Sequence, residues 1–157
     1  MTSPLTYKRP TEETKPMRVI FDLDGTLSNA EHRVHYLTGE IKDWRAFYAE
    51  CAGDQPIRPI MDVLTALGLM GAEIHIWTGR SAEVEAETVA WLEANDLDDI
   101  ALKMRPVGDH SPDTELKAKW LAECGWTPDL VFEDRASVVE MWRSHGIICA
   151  QVAPGNF

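Results

Sequence analysis

Short apolar segments alternate with helical segments along most of the chain, and this alternation restricts the fold more than any other feature. Strand-like runs, rich in β-branched and aromatic residues, lie at 18–21, 73–77, 100–104, 129–132 and 147–152. Helical patterns occupy 57–70, 81–95, 113–124 and 136–145. Strands that alternate with helices form crossover units in which neighbouring strands run parallel. The sequence therefore predicts an α/β fold in which a parallel sheet carries helices on both faces.

Residues typical of caps stand at the ends of the helical segments. Ser81 and Asp113 are expected to be N-caps, because a short polar side chain accepts a hydrogen bond from a free backbone N–H of the first turn. Gly125 and Gly146 are expected to end helices, because glycine adopts the left-handed backbone conformation at little cost.

Size and charge limit the domain count and the classes of partner. The 157 residues, 45% of them hydrophobic, suffice for one buried core but not for two domains of typical size. Residues 1–16 contain three prolines and four threonines, so we expect a flexible leader before a domain at 17–157. The net charge of -11 disfavours binding along an extended duplex and leaves only local contact with nucleic acid. No apolar run reaches the length of a membrane span, so we expect no membrane partner and a cytoplasmic location.

Polar residues stand where three of the predicted strands end. Asp22 follows the first strand, Thr78 the second and Asp134 the fourth. The carboxyl ends of parallel strands meet at one edge of an open sheet, and ligands bind outside that edge. We therefore expect these three side chains to share one site.

The run DLDGT at residues 22–26 combines residue types suited to attack on phosphorus. Gly25 permits the turn that directs Asp22 and Asp24 into one pocket. One carboxylate can attack phosphorus, and the other can protonate the leaving oxygen and then activate water. Because two anions repel a phosphate, a cation is needed, and Asp22 and Asp134 suit Mg²⁺. Asp-x-Asp also ends strands and forms turns without a catalytic role, and the tripeptide alone leaves that interpretation open.

The DLDGT run and three later segments resemble, in the same order, the motifs of haloacid dehalogenase (HAD) superfamily phosphatases. The resemblance covers residues 17–157 and implies a Rossmann-like parallel sheet, the HAD fold, with a small helical cap insert. It implies that Asp22 is the nucleophile and Asp24 the general acid/base. It also implies a Mg²⁺ cofactor, bound by Asp22 and by the backbone carbonyl of Asp24.

The later segments supply the remaining site residues that the resemblance implies. Thr78 of WTGR matches the hydroxyl that binds the transferring phosphoryl group, and Lys117 of ELKAKW matches the lysine that neutralises the intermediate. Asp134 of FEDR matches the metal-binding acid, with Glu133 beside it as a further metal neighbour.

A closer resemblance is to the 3′-phosphatase domain of phage-type polynucleotide kinases, in GDHSPDTELK at 108–117 and in the segment 133–157. It implies that four residues help to bind the substrate phosphate: Gly79, Arg80, Asp113 and Arg33. The chain lacks the sequence G-x-x-x-x-G-K-[ST], so we expect the phosphatase module without a kinase half. Glu133 replaces the more usual aspartate, and its role as a metal neighbour stays open.

Each of these residues also has an interpretation without chemistry. Thr78 can cap a turn, and Asp113 can cap a helix. Lys117 lies in a charge-rich helix, where a solvated face is the ordinary expectation. Arg33 can be surface charge, whereas Arg80 is better suited to phosphate because a guanidinium binds it as a planar fork.

The segment 28–56 lies where the superfamily inserts caps, so we expect a small helical flap over an open site. Its aromatic residues Trp44, Phe47 and Tyr48 follow helical spacing, with two histidines in an earlier turn. An aromatic stripe of this kind is more often core than a platform for stacking bases.

Three functions are compatible with these patterns. The first is a phosphomonoesterase that acts on a nucleic-acid 3′-phosphate end or on a nucleotide. The second is a small-molecule nucleotidase for 5′- or 3′-mononucleotides, which the acidity and the missing kinase motif favour. The third, a binding module with a degenerate site, is disfavoured because every catalytic position holds a competent residue. The sequence leaves the oligomeric state open.

Overall fold

The structure is a computed structural model that describes residues 15–155. Most of the leader expected at 1–16 lies outside the described residues. The strands are β1 (Arg18–Phe21), β2 (Ser28–Asn29), β3 (Gln55–Pro56), β4 (Glu73–Ser81), β5 (Ala101–Arg105), β6 (Leu130–Arg135) and β7 (Cys149–Gly155). The α-helices are α1 (Trp44–Ala49), α2 (Arg58–Leu69), α3 (Glu85–Glu93), α4 (Asp113–Glu123) and α5 (Ala136–Ser144). Short 3-10 helices cover Glu31–Leu37, Glu50–Gly53 and Ala82–Val84.

Five strands form one parallel sheet in the order β5-β4-β1-β6-β7. Strand β1 is central, and Phe21 at its end pairs in register with Ile76 of β4 and Phe132 of β6. The chain passes to β4 on one side of β1 and later to β6 on the other, so the strand order reverses at β1. A crevice opens at such a point beyond the carboxyl ends of the strands. The ends of β1, β4 and β6 therefore border one crevice.

Buried apolar side chains pack on both faces of the sheet. On one face, Phe21 and Ile76 pack with residues of α2 and α3, including Leu64 and Trp91. On the opposite face, the buried set comes from the sheet, α4 and α5: Ile20, Trp77, Leu116, Trp120, Val131, Val138 and Trp142. The predicted α/β fold with helices on both faces is confirmed. Among the described residues, no helix is both long and apolar enough to cross a lipid bilayer.

The expected strands and helices are all present, with differences at their ends. Strand β4 continues to Ser81, beyond the expected end at residue 77, because its pairing with β5 resumes at Ser81 after an irregularity. Ser81 caps a 3-10 helix as expected, and its side chain accepts from the N–H of Glu83. The expectation for Asp113 is wrong: the residue before it is the N-cap, and the Asp113 carboxylate binds two arginines instead.

The segment from β2 to β3 leaves the sheet and returns to it. It forms a 3-10 helix, α1 and a second 3-10 helix, and the short strands β2 and β3 pair antiparallel at its base. Within the aromatic stripe Phe47 is buried, as is Cys51 four residues later, while Trp44 is 42% exposed. The aromatic stripe is therefore core at Phe47 but open at Trp44.

Candidate active site

The ammonium of Lys117 forms hydrogen bonds to carboxylates at the ends of β1 and β6. Its Nζ atom donates to Oδ1 of Asp22 at 2.6 Å and to Oε2 of Glu133 at 2.7 Å. The side chain is only 2% exposed, so the expectation of a solvated face is wrong for this residue. Although burial alone would lower it, the two carboxylates raise the pKa of Lys117, and the ammonium stays charged. Lys117 thus places a fixed positive charge against Asp22.

Three carboxylates from the ends of β1 and β6 form an acidic cluster. Oxygen atoms of Asp22, Glu133 and Asp134 all lie within 4.8 Å of one another, and all three residues are buried. Glu133 also accepts from the backbone N–H groups of Asp134 and Arg135, which fixes its orientation. A buried group of three carboxylates whose oxygen atoms lie this close together has the donor set of a hard divalent cation.

Burial and repulsion between the carboxylates both disfavour the ionised forms of this cluster, and Lys117 opposes them. Burial and the Glu133 carboxylate raise the pKa of Asp22 against the opposing effect of Lys117. Burial and the Asp22 carboxylate likewise raise the pKa of Asp134 to about 6. A second cation in the cluster would favour the ionised carboxylates, since an adjacent positive charge lowers the pKa of an acid.

Two glycines, one in the DLDGT turn and one in β7, allow their segments to approach Asp134 closely. Gly25 has φ +84°, and a Cβ atom there would collide with the Asp134 carboxylate. A Cβ atom at Gly155 of β7 would collide with the backbone of Asp134. The glycine of the DLDGT run therefore provides space for the cluster as well as the turn.

The carboxylate of Asp24 lies in the same crevice but bonds to arginines. Its Oδ1 atom accepts from Nη2 of Arg33 and from Nη2 of Arg80, each at 2.5 Å. Burial would raise its pKa, but the guanidiniums of Arg80 and Arg33 outweigh burial and lower the pKa of Asp24 to about 2. Asp24 is therefore held as an anion, and its carboxylate is not part of the acidic cluster.

The two arginines do not present free guanidinium groups to the crevice. The side chains of Arg33 and Arg80 are both 0% exposed. Arg80 also donates to Thr88 and Asp54, and Arg33 donates to Asp54 and to the carbonyl of Phe47. The resemblance implies that both arginines help to bind the substrate phosphate, and in the structure both residues hold Asp24 in place.

Asp54 is a residue that the sequence analysis missed. Its side chain is 0% exposed and accepts from both Arg33 and Arg80, while its backbone carbonyl accepts from the indole N–H of Trp91 at 2.8 Å. A lone aspartate after Gly53 gives no signal of this role, because its partners lie 21 and 26 residues away in sequence. Asp54 neutralises the arginine pair that positions Asp24.

The C-terminal part of β4 brings Thr78 and Gly79 to the crevice. The Thr78 hydroxyl accepts from the backbone N–H of Arg80 at 3.1 Å, and its side chain lines the cavity. The carbonyl of Gly79 accepts from the hydroxyl of Tyr48 at 3.1 Å and from Nε of Arg105 at 2.8 Å. A Cβ atom at Gly79 would collide with the Asp113 carboxylate.

The Asp113 carboxylate pairs with Arg105, a second residue to which no sequence signal pointed. Arg105 ends β5 and donates to the Asp113 carboxylate, to the carbonyl of Ser111 at 2.7 Å and to Gly79. Arg135 also approaches Asp113, at 3.3 Å. Arg105 escaped the sequence analysis because it lies in no recognised motif. Asp113 therefore orders the ends of β4, β5 and β6 around the crevice.

The crevice is an open cavity of about 1070 Å³. Eight of the expected site residues line it: Asp22, Asp24, Thr78, Gly79, Arg80, Asp113, Glu133 and Asp134. Lys117 and Arg33 do not line the cavity themselves, but Lys117 contacts Asp22 and Arg33 contacts Asp24. The opposite side of the cavity is formed by the segment 28–56 and by the loop before α4.

A family model and a viral relative both relate the chain to polynucleotide kinases. The model of the polynucleotide kinase PNKP phosphatase domain matches residues 16–157. A protein of Autographa californica nuclear polyhedrosis virus, named as a bifunctional polynucleotide kinase/RNA ligase, is 30% identical over 145 residues. That match covers 87% of this chain and 19% of the viral protein.

Solved structures agree with the fold. A chain of the Pnkp1/Rnl/Hen1 RNA repair complex matches with a TM-score of 0.79 and 27% identity, covering 100% of this chain and 48% of that chain. The class C acid phosphatase from Bacillus anthracis matches at 18% identity with a TM-score of 0.58, over 81% of this chain and 55% of that one. The second match shows the fold alone. This chain thus spans about half of the repair-complex chain and about a fifth of the viral relative.

Proposed function

Because the chain belongs to the family of polynucleotide kinase PNKP phosphatase domains and is a phosphatase, we propose that it removes a terminal 3′-phosphate from nucleic acid. The proposed reaction depends on Mg²⁺ and passes through an aspartyl-phosphate at Asp22. The observation that carries this proposal is the contact of Lys117 with Asp22 beside the acidic cluster of Asp22, Glu133 and Asp134.

The cluster fits a divalent cation, and Mg²⁺ is the proposed cofactor. Asp22 and Asp134 would hold it, with Glu133 adjacent and the backbone carbonyl of Asp24 as a further donor. When bound, Mg²⁺ would offset the charge of the carboxylates and of the phosphoryl oxygens. Burial and a neighbouring carboxylate raise the pKa values of Asp22 and Asp134, and a bound cation would favour the ionised forms of both acids.

Asp22 is the proposed nucleophile. Its carboxylate attacks phosphorus, the bond to the 3′-oxygen of the sugar breaks, and the phosphoryl group is transferred to Asp22. The Thr78 hydroxyl, on the neighbouring strand, is proposed to donate to a phosphoryl oxygen. The Lys117 ammonium stays hydrogen-bonded to one Asp22 oxygen during the reaction. Its positive charge stabilises the negative charge that develops in the transition state.

Asp24 is the proposed general acid and base. Its low pKa in the free enzyme suits the second displacement, in which the carboxylate takes a proton from the attacking water. For the first displacement it must be protonated, and a bound phosphate anion raises its pKa by like-charge repulsion. Arg33 and Arg80 fix the position from which Asp24 serves both steps.

A substrate panel tests this proposal. Phosphate release is compared between a 3′-phosphorylated oligonucleotide, 3′- and 5′-mononucleotides and an aryl phosphate, each with Mg²⁺ or with a chelator. We expect the oligonucleotide to have the highest kcat/KM, with all activity lost in the chelator and in Asp22→Asn. Hydrolysis of mononucleotides alone would replace this proposal with the nucleotidase.

A further inference from the structure

The cavity extends well beyond the space that a phosphate needs. From the acidic cluster it passes Gly79 and reaches α1 and the residues just before it. Four residues of this region line it: Lys42, Trp44, Arg45 and Tyr48. We call these four residues the α1 wall. The remaining space and the wall need an occupant other than the phosphoryl group.

An aromatic surface is open to the cavity on the α1 wall. Trp44 is 42% exposed, and its ring centroid lies 5.9 Å from that of Tyr48. Phe47, one turn along the helix, is buried against the Arg33 guanidinium and anchors α1. The Tyr48 hydroxyl donates to the carbonyl of Gly79, which links the wall to the C-terminal part of β4 next to Thr78. The wall is therefore held at a fixed position relative to the reaction centre.

Positive charge is placed beside this aromatic surface although the protein as a whole is acidic. Lys42 and Arg45 are exposed on the α1 wall, and Nζ of Lys42 lies 5.8 Å from the Trp44 ring centroid. Glu31 and Glu83 also line the cavity, so the attraction for an anion is local to the wall. The protein has a net charge of -11, so most of its surface repels an anionic strand. An aromatic ring with two cations at the mouth of the site therefore attracts such a strand at this position only.

We propose that the α1 wall binds the single-stranded end of the nucleic-acid substrate, with a base stacked on Trp44 and an internucleotide phosphate held by Lys42 and Arg45. This inference rests on the proposed function and adds a recognition site to it. Aromatic rings stack on any base, and neighbouring cations follow the backbone, which is how proteins bind single strands without reading sequence. The substrate is accordingly a 3′-phosphorylated strand with at least one phosphodiester.

The test separates the base contact from the backbone contact. Values of kcat/KM are measured for an aryl phosphate, a 3′-mononucleotide and a 3′-phosphorylated oligonucleotide. Trp44→Ala is expected to lower the ratio of oligonucleotide to aryl phosphate by about 5- to 100-fold, the range of one stacked base. Trp44→Phe, which keeps a ring, should restore most of that ratio and controls for folding of α1.

The charge contact has its own variant and control. Lys42→Glu combined with Arg45→Glu should lower the ratio of oligonucleotide to mononucleotide by about 10-fold and flatten its dependence on salt. Lys119→Glu, an exposed charge reversal on α4 outside the cavity, should leave both ratios unchanged.

The outcomes distinguish this inference from the proposed function. If wild-type protein prefers the oligonucleotide but the α1-wall variants leave both ratios unchanged, the recognition site is wrong and the proposed function stands. If the Trp44 variants lower activity on all three substrates equally, the ring supports folding only, and the inference fails. If wild-type protein hydrolyses the aryl phosphate but no oligonucleotide, the proposed function itself fails.

Discussion

The Nζ atom of Lys117 lies 2.6 Å from Oδ1 of Asp22, although 95 residues separate the two in the chain. The same Nζ atom lies 2.7 Å from Glu133. One buried cation from α4 therefore links the carboxyl ends of the adjacent strands β1 and β6. The contact is both a structural link and the electrostatic support of the proposed nucleophile.

Removing Lys117 should damage stability and activity together. Lys117→Met leaves two buried carboxylates without their ammonium partner, which typically costs about 3 to 5 kcal/mol. We expect urea unfolding to show that loss and kcat to fall at least about 100-fold, the effect of deleting one stabilising donor of a transition state. The double variant Lys117→Met/Glu133→Gln should recover part of the stability and none of the activity. A single variant as stable as wild type would contradict this role.

Mg²⁺ should stabilise the fold through Asp134. A ligand that binds only the native state raises the melting temperature, so Mg²⁺ at millimolar concentration should raise the Tm of the wild type. Asp134→Asn should abolish that rise and, without metal, melt no lower than wild type, because it removes a repelling charge. Asp62→Asn, an exposed acid on α2, is the control and should keep the rise. An equal Tm rise in Asp134→Asn would place the metal elsewhere.

Arg33 should behave as a positioning residue. Arg33→Ala leaves the carboxylates of Asp24 and Asp54 with Arg80 as their remaining buried arginine, so one buried negative charge is no longer balanced. We therefore expect a loss of about 3 to 5 kcal/mol in unfolding free energy. Catalysis should suffer in kcat, with KM nearly unchanged, because Asp24 loses its fixed position. The exposed Arg58→Ala should change stability by less than about 0.5 kcal/mol. A rise in KM with normal stability would instead mark Arg33 as a phosphate ligand.

Gly79 should tolerate no side chain. In Gly79→Ala the new Cβ atom collides with the Asp113 carboxylate, so the contacts of Asp113 with Arg105 and the β4 end must shift. We expect reduced stability and at least a 10-fold lower kcat/KM, since small displacements at a reaction centre are costly. Gly68→Ala is the matched control: its Cβ meets no atom within 4 Å, and in a helix it should stabilise by about 0.5 to 1 kcal/mol. Equal behaviour of the two variants would contradict the account.

Much of the fold could be predicted because its signals are local. The apolar run at Arg18–Phe21 and the positive-φ glycines Gly125 and Gly146 depend on neighbouring residues only. The positions of Asp22, Thr78 and Asp134 at one sheet edge could also be predicted, because each residue lies at the end of a locally recognisable strand. Parallel strands bring their ends together whatever the loops between them do.

The residues that the sequence did not reveal act through distant partners. Asp54 and Arg105 belong to no motif, and their roles depend on contacts made only in the folded chain. The environment of Arg33 and Arg80 was equally hidden, because a motif gives the position of an arginine but not its burial. Trp44 and Phe47 share one helical pattern, yet only packing decides which ring is core and which faces the cavity.

The central claim, that Asp22 becomes phosphorylated, is tested most directly in the Asp24→Asn variant with an aryl phosphate. The aryl leaving group needs no general acid, whereas hydrolysis of the intermediate needs the missing base, so the intermediate should accumulate. After an acid quench, peptide mapping by mass spectrometry should find the phosphoryl group on the peptide that contains Asp22, with a burst of about one aryl alcohol per enzyme. A phosphoryl group on another peptide, or steady turnover without any phosphorylated peptide, would contradict the account.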